Sequence, residues 1–195
     1  MSSVSYSKTS RLVGMAIIIA IIVTLQMVAT FIRIGSIPVS LVLVPIVVGA
    51  AMYGSRAGAV LGAAFGIVVL INCINGLDLG GHALWVVNPP LTAALCLIKG
   101  TLAGYVAGVI YSLVSKKYKY FGVAFAAVAC PVVNTGIFIT AMYFFYRDML
   151  ILWAGGSSLL YFSFVGLAGL NFLFEFGTNL ILVPGIVRII NAVKR

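Results

Sequence analysis

Apolar residues run through this chain in long stretches, and polar residues gather in the short breaks between them. A helix that crosses a membrane needs about 20 apolar residues at roughly 1.5 Å rise each. Six stretches approach that requirement: Leu12–Ile32, Ile37–Tyr53, Ala57–Ile74, Leu91–Val114, Phe121–Tyr146 and Tyr161–Ile190. The second is short and carries Pro45, which predicts a kink. The last is too long for one span, so its beginning is expected at the outer surface. The pattern predicts an all-α polytopic membrane protein: one bundle of six transmembrane helices over residues 1–195, with no additional soluble domain.

The breaks are unequal. Gly54-Ser55-Arg56 is a tight turn, and Lys116-Lys117-Tyr118-Lys119-Tyr120 is a short basic one. Residues 75–90 and 147–160 are longer and rich in Gly, Asn, Asp, Trp and Pro. With both termini inside, the inner side collects Lys8, Arg11, Arg56, Lys116, Lys117, Lys119, Arg188, Lys194 and Arg195, while the outer side keeps Arg33 and Arg147. Such an excess of inner charge predicts a multi-pass protein of the cell (cytoplasmic) membrane with both termini cytoplasmic. Trp85 and Trp153 fall in the long outer connections, where they form either an interfacial aromatic belt or a wall over a site.

Composition strengthens the membrane reading. Hydrophobic residues make up 63% and charged residues 8%, and the mean hydropathy is +1.23. One soluble core of this size could not hide that much apolar surface. The net charge of +9 would point to nucleic acid in a soluble protein. Here the basic residues flank apolar runs, so topology and an anionic lipid bilayer account for them and no nucleic-acid partner is expected. Cys73, Cys96 and Cys130 lie in or beside apolar runs without metal-ligand spacing and read as buried small side chains. The first apolar stretch lacks a clean cleavage site, so no removable signal is expected.

Chemistry is sparse. The sole histidine, His82, has no Cys or carboxylate pair at ligand spacing, and HExxH, GxSxG and phosphate-binding Gly-Lys patterns are missing. The sequence therefore predicts neither an enzyme nor a cofactor held by this chain, and ATP-driven work would need another subunit. Small residues recur at every fourth position in three runs: Ala16, Ala20 and Thr24; Gly58, Gly62 and Gly66; and Gly100, Gly104 and Gly108. That spacing lines one helix face and lets another backbone approach closely. The two glycine runs predict internal packing, whereas the Ala16–Ala20 face, on a first helix at the bundle edge, suits docking of a partner.

Ionisable groups inside a span are costly and mark candidate sites. Lys99 stands eight residues into the fourth span, about 12 Å from its outer end, too deep to snorkel easily. Glu175 is similarly deep in the last span, between Asn171 and Asn179 at four-residue intervals. Lys99 and Glu175 either pair to fasten two helices or face a ligand cavity, and a pair could rearrange when ligand binds. Asn134 breaks the fifth span, Asn72 and Asn75 mark the outer end of the third, and Asn88 precedes Pro89-Pro90 at the start of the fourth. Each amide bonds across helices or contacts ligand.

Taken in order, these pieces resemble the substrate-binding S component of energy-coupling factor (ECF) vitamin transporters over nearly the whole chain. The matching segments are Ala16–Ala20, Ile37-Pro38-Val39-Ser40 leading into Val44–Ala50, Tyr53–Gly58 through Gly62, Lys99-Gly100 with Ala103-Gly104, Asn134-Thr135-Gly136, and Asn171 with Glu175. The resemblance implies capture of a vitamin or vitamin precursor from outside and docking on a transmembrane coupling protein with two ATPase subunits. It implies that Ala16 and Ala20 meet the coupling protein, and that the subunit topples in the membrane to release its cargo. It also implies a pocket formed by outer loops one, three and five with the outer parts of helices four to six. The polar residues Asn72, Asn75, Trp85, Asn88, Lys99, Asn134, Arg147 and Asn171 agree with such a pocket, joined by Glu175. Lys99 could neutralise a carboxylate, and pantothenate fits an apolar pocket with amide or hydroxyl partners, as another vitamin could. The alternative is a non-transporting membrane scaffold of the MreD-like kind, which needs no ligand pocket.

Overall fold

A computed structural model describes residues 8–31, 33–34, 37–38, 41–167 and 169–193, with the side chains of 31, 33–34, 37–38, 167, 170, 171 and 193 excepted. Four helices are long and apolar enough to cross a membrane: α1 (Lys8–Phe31), α3 (Ser55–Ile74), α5 (Pro89–Val114) and α6 (Lys119–Phe145). They coincide with the first, third, fourth and fifth stretches read from the sequence. Between α1 and α3 come a two-residue antiparallel ladder, β1 (Arg33–Ile34) with β2 (Ile37–Pro38), and the 11-residue helix α2 (Leu43–Tyr53). The all-α bundle is otherwise uninterrupted among the described residues.

Helix α2 corrects the expected second span. It begins at Leu43 rather than Ile37, and its 11 residues reach only about 16 Å. Pro45 sits in the first turn, where the missing N–H has no intrahelical partner to lose, so it starts the helix rather than kinking it. The last expected span is also divided. Residues 162–167 form a π-helical turn, followed by α9 (Gly169–Ile181) and α10 (Val183–Val193), with Phe172–Ile181 and Val183–Ala192 meeting at 47°. Pro184 explains the bend, because it cannot donate to the carbonyl of Leu180.

The two long outer connections are helical where loops were expected. Asp78 caps α4 (Leu79–Val87) by accepting the Gly81 N–H at 3.0 Å, and Asn88 caps α5 by accepting the Leu91 N–H at 3.2 Å ahead of the Pro89-Pro90 start. After α6, α7 (Arg147–Ala154) ends at Gly155 and Gly156, both at positive φ, and α8 (Leu159–Tyr161) begins a segment bent 93° from it. Counting each bent pair as one span raises the spanning helices from four to six.

Helices α3 and α5 form the spine. A Cβ on Gly62 would stand 2.6 Å from the Gly100 carbonyl carbon, and one on Gly104 would stand 2.7 Å from that of Gly58. The glycine runs thus face one another with backbone against backbone, the internal packing read from their spacing. The main apolar cluster gathers around this spine from α1, α2, α3, α5, α6 and α10, including Ile22, Ile46, Leu61, Phe65, Ala103, Val123 and Ile186.

Three contacts define one end. Arg11 donates to the Tyr53 carbonyl at 3.1 Å, Gly108 abuts Ser55, and Gly122 abuts Ser115. The start of α1, the α2–α3 turn and the α5–α6 turn therefore lie together, with Arg56 and Lys116, Lys117 and Lys119 among them. The far end carries α4, α7 and a second apolar cluster built on Leu84, Leu95, Met142, Tyr146 and Leu150.

Candidate polar site between the two apolar clusters

Two helices pass from one apolar cluster to the other, and the polar side chains stand near the changeover. On α5, Leu91 and Leu95 belong to the far-end cluster, whereas Cys96, Ala103 and Ala107 belong to the main one. On α6, Val123 to Val133 pack with the main cluster, and Ile137 to Tyr146 pack with the far-end one. Lys99 lies one turn along α5 from Cys96, and Asn134 occupies the break between Val133 and Ile137.

The half-buried Lys99 ammonium lies 5.3 Å from the centroid of the Phe138 ring on α6. A cation over an aromatic face is attracted by the ring quadrupole, which compensates part of its lost hydration. Phe138 is one turn from Asn134, so the charge and the amide share the α5–α6 crevice. Across the spine, the Cys73 and Cys96 thiols interact, and Lys99 is close enough to act electrostatically on both. All three cysteines are free and buried, in keeping with their reading as small core side chains.

The amides differ sharply in their surroundings. Asn72 is fully buried, and neither side-chain atom of its amide has a hydrogen-bond partner, although its backbone carbonyl accepts from Leu77 at 2.9 Å and Asp78 at 3.2 Å. Asn134 is 7% exposed with its Oδ1 unbonded. On α9, buried Asn179 donates to the Glu175 carbonyl at 2.8 Å, and its own Oδ1 has no partner. Glu175 is 3% exposed and acts electrostatically on buried Cys130 of α6, one turn from Asn134. Among the described residues the ammonium of Lys99 meets the Phe138 ring, on a different helix from Glu175. The side chain of Asn171 lies outside the described residues.

The other candidates are less enclosed. Asn88 uses its side-chain oxygen as the α5 cap, and Trp85 is half-buried against the main cluster. Asn75 is exposed at the end of α3. Arg147 is exposed, with its guanidinium carbon 5.8 Å from the centroid of Tyr143 on the preceding turn. Trp153 packs at the edge of the far-end cluster.

Sequence reasoning missed Phe138 and a buried hydroxyl pair. Tyr146 and Thr92 meet through their hydroxyls at 2.7 Å, and Tyr146 also donates to the Asn88 carbonyl at 3.3 Å, tying the end of α6 to the start of α5. Nothing in the aromatic run Tyr143-Phe144-Phe145-Tyr146 distinguishes the last ring, since only pairing with a residue 54 positions away identifies it.

A separate surface lies on α1. Ala16, Ala20 and Thr24 are exposed along one face, beside Ile17 and Ile21, while Ile18, Ile22 and Ala29 turn into the bundle. Gly14 lets the Tyr53 ring approach closely on the inward side. This charge-free outer face can meet lipid or another apolar helix.

A family model described as ECF transporter, substrate-specific component, matches residues 10–187. No curated protein matches the chain.

Proposed function

Because the chain belongs to the substrate-specific components of ECF transporters, we propose that it captures a small carboxylate-bearing vitamin or vitamin precursor at the polar site, pantothenate being the specific candidate. Membership makes it a substrate-specific transporter subunit of a multi-pass kind, which displaces the scaffold alternative. The observation that carries the finer reading is the half-buried Lys99 ammonium beside Phe138, one turn from buried Asn134. A carboxylate placed there gains a charge-assisted hydrogen bond of about 1.5–3 kcal/mol. Asn72, Asn134 and the α9 polar groups Asn171 and Glu175 supply neutral and acceptor contacts, while Trp85, Asn88, Asn75 and Arg147 line the approach.

In this reading the far end faces outward and the basic end faces the cytoplasm of the cell membrane. A cysteine at Ser115 would then react only with membrane-permeant reagents and one at Gly80 from outside; the reverse pattern would invert the topology. Ala16 and Ala20 meet a transmembrane coupling protein, and two partner ATPase subunits consume the ATP, with no cofactor bound by this chain.

Calorimetric titration of purified full-length protein with pantothenate and its primary amide tests the site. Lys99→Met retains most of the apolar stem and should weaken pantothenate binding by roughly ten- to a hundredfold, each 1.4 kcal/mol being about tenfold. The amide should lose far less; if Glu175 only balances Lys99, Glu175→Gln should leave affinity intact or tighten it, and if it contacts the ligand, Glu175→Gln should weaken binding. Equal affinity of wild type and Lys99→Met for the carboxylate removes Lys99 from the site. If wild type binds neither compound, pantothenate is withdrawn as the substrate.

A further inference from the structure

Leu61, Phe65 and Asn72 occupy one stripe of α3 at spacings of four and seven residues. Leu61 reaches the Gly49 position on α2, and Phe65 reaches the Gly100 position on α5, so this stripe points into the bundle. Asn72 continues it toward the far end, about 10 Å beyond Phe65. It is 0% exposed, yet among the described residues both the oxygen and the nitrogen of its amide lack a partner. Buried amides in native proteins are almost always bonded, and leaving both atoms unpaired opposes folding. A leucine of similar size would pack in this apolar stripe without that cost.

A side-chain amide presents an acceptor and a donor next to each other. Its chemical complement is a group that carries both an N–H and a C=O. Asn72 is next to Cys73, Lys99 is one turn from Cys96, and the two thiols interact across the α3–α5 spine. Lys99 also acts electrostatically on Cys73, the residue next to Asn72, so the amide and the ammonium belong to the same part of the α3–α5 spine.

We propose that Asn72 is a specificity-determining contact that reads an amide, lactam or ureide group on the small acid whose carboxylate Lys99 holds. This rests on the reading of Lys99 given above, and it narrows the substrate from any small carboxylate to one bearing an N–H and a C=O. A buried polar group selects strongly, because an analogue without the matching group leaves it unpaired. Polyhydroxy acids and simple fatty acids are rejected on that ground, although their carboxylates satisfy Lys99.

The test uses full-length wild type, Asn72→Leu, Asn72→Ser and Lys99→Met, each released gently from its host membrane. Small molecules freed by organic solvent are identified and quantified by mass spectrometry, and Tm is measured after repeated washing to remove them. Wild type should release a carboxylic acid bearing an amide-type group. Both Asn72 variants should retain less than a tenth of that occupancy. Ligand-free Asn72→Leu should melt about 2–4 °C above wild type, the scale expected for relief of one unpaired group in a chain this long. Asn72→Ser, which is smaller and still polar, provides the binding result if Asn72→Leu fails to fold.

Wild-type occupancy in both Asn72 variants, a released acid without N–H and C=O, or a lower Tm for washed Asn72→Leu would each overturn the proposal. Loss of occupancy in the Asn72 variants with full retention by Lys99→Met would instead overturn the Lys99 reading and leave Asn72 as a ligand contact. If wild type releases no small molecule, both readings fall.

Discussion

The basic half and the far half of the bundle meet the same packing requirement by opposite means. In the basic half, Gly58, Gly62, Gly100 and Gly104 let α3 and α5 approach with backbone against backbone, under an apolar cluster drawn from six helices. The helices confined to the far half are short or broken: α4 has nine residues, α7 has eight, and Gly155 and Gly156 turn the chain at positive φ. The far-end cluster is smaller, and Lys99 meets its Phe138 ring one turn from Asn134, near the changeover. A seam of backbone contacts has one arrangement, because its atoms have nowhere to move. Short capped helices are less constrained, which suits the proposed cargo site to the far end and structural rigidity to the basic end.

The largest effect should come from breaking the spine. Gly62→Leu drives a side chain into the Gly100 carbonyl, where neither backbone can yield without separating α3 from α5. Overpacking of this kind costs roughly 1–3 kcal/mol or more, and the backbone contact puts it at the upper end. Loss of a monodisperse peak in size-exclusion chromatography, or a Tm lower by about 6 °C or more, is expected. Gly136→Ala is the control: a Cβ there meets nothing within 4 Å, so stability should hold or rise by about 0.5–1 kcal/mol. Equal damage from both substitutions would deny the spine its special place.

A second test separates the outer face of α1 from both halves. Ala16→Trp with Ala20→Trp adds bulk to an exposed face, where no packing within the bundle is disturbed. Uptake by cells should be abolished while titration of the isolated subunit with its substrate stays within about twofold, well under the 1.4 kcal/mol of a tenfold change. Normal copurification with the coupling protein and normal uptake would remove the docking role from this face.

The basic half was far more legible than the far half, and the reason is the range of the interactions involved. Four-residue glycine spacing and 20-residue apolar runs are local patterns, so α1, α3, α5, α6 and the inward packing of the two glycine faces follow from them directly, while their pairing with each other does not. Pro45 misled because its effect depends on where the helix starts, which the run Ile37–Tyr53 does not reveal. Lys99 and Asn134 were identifiable from the cost of polar groups at membrane depth, but Phe138 as the neighbour of Lys99 was not, since one ring among twelve phenylalanines carries no mark. Asn72 was legible as a candidate, whereas its lack of partners depends on every side chain packed around it.

The smallest expected effect sharpens the comparison most, because it asks whether the two halves open separately. Thr92 donates its hydroxyl proton to the Asn88 carbonyl at 2.9 Å, which leaves its oxygen to accept from Tyr146. Tyr146→Phe removes that donor while the ring, 2% exposed, still fills the same space. Asn88 keeps both the Thr92 hydroxyl and the Thr92 N–H at 3.0 Å, so what is lost is one donor, shared between Thr92 at 2.7 Å and the Asn88 carbonyl at 3.3 Å, worth about 0.5–1.5 kcal/mol. The global Tm should fall by no more than about 2–5 °C. Hydrogen exchange is the sensitive measurement, since local opening reports on each cooperative unit separately. Amides of α4, α7 and the first turn of α5 should exchange faster by about tenfold, and those of Gly58–Gly66 and Gly100–Gly108 should be unchanged. Faster exchange along the glycine seam to the same degree would mean that the bundle opens as a single unit, and the division into a fixed half and a rearranging half would be wrong.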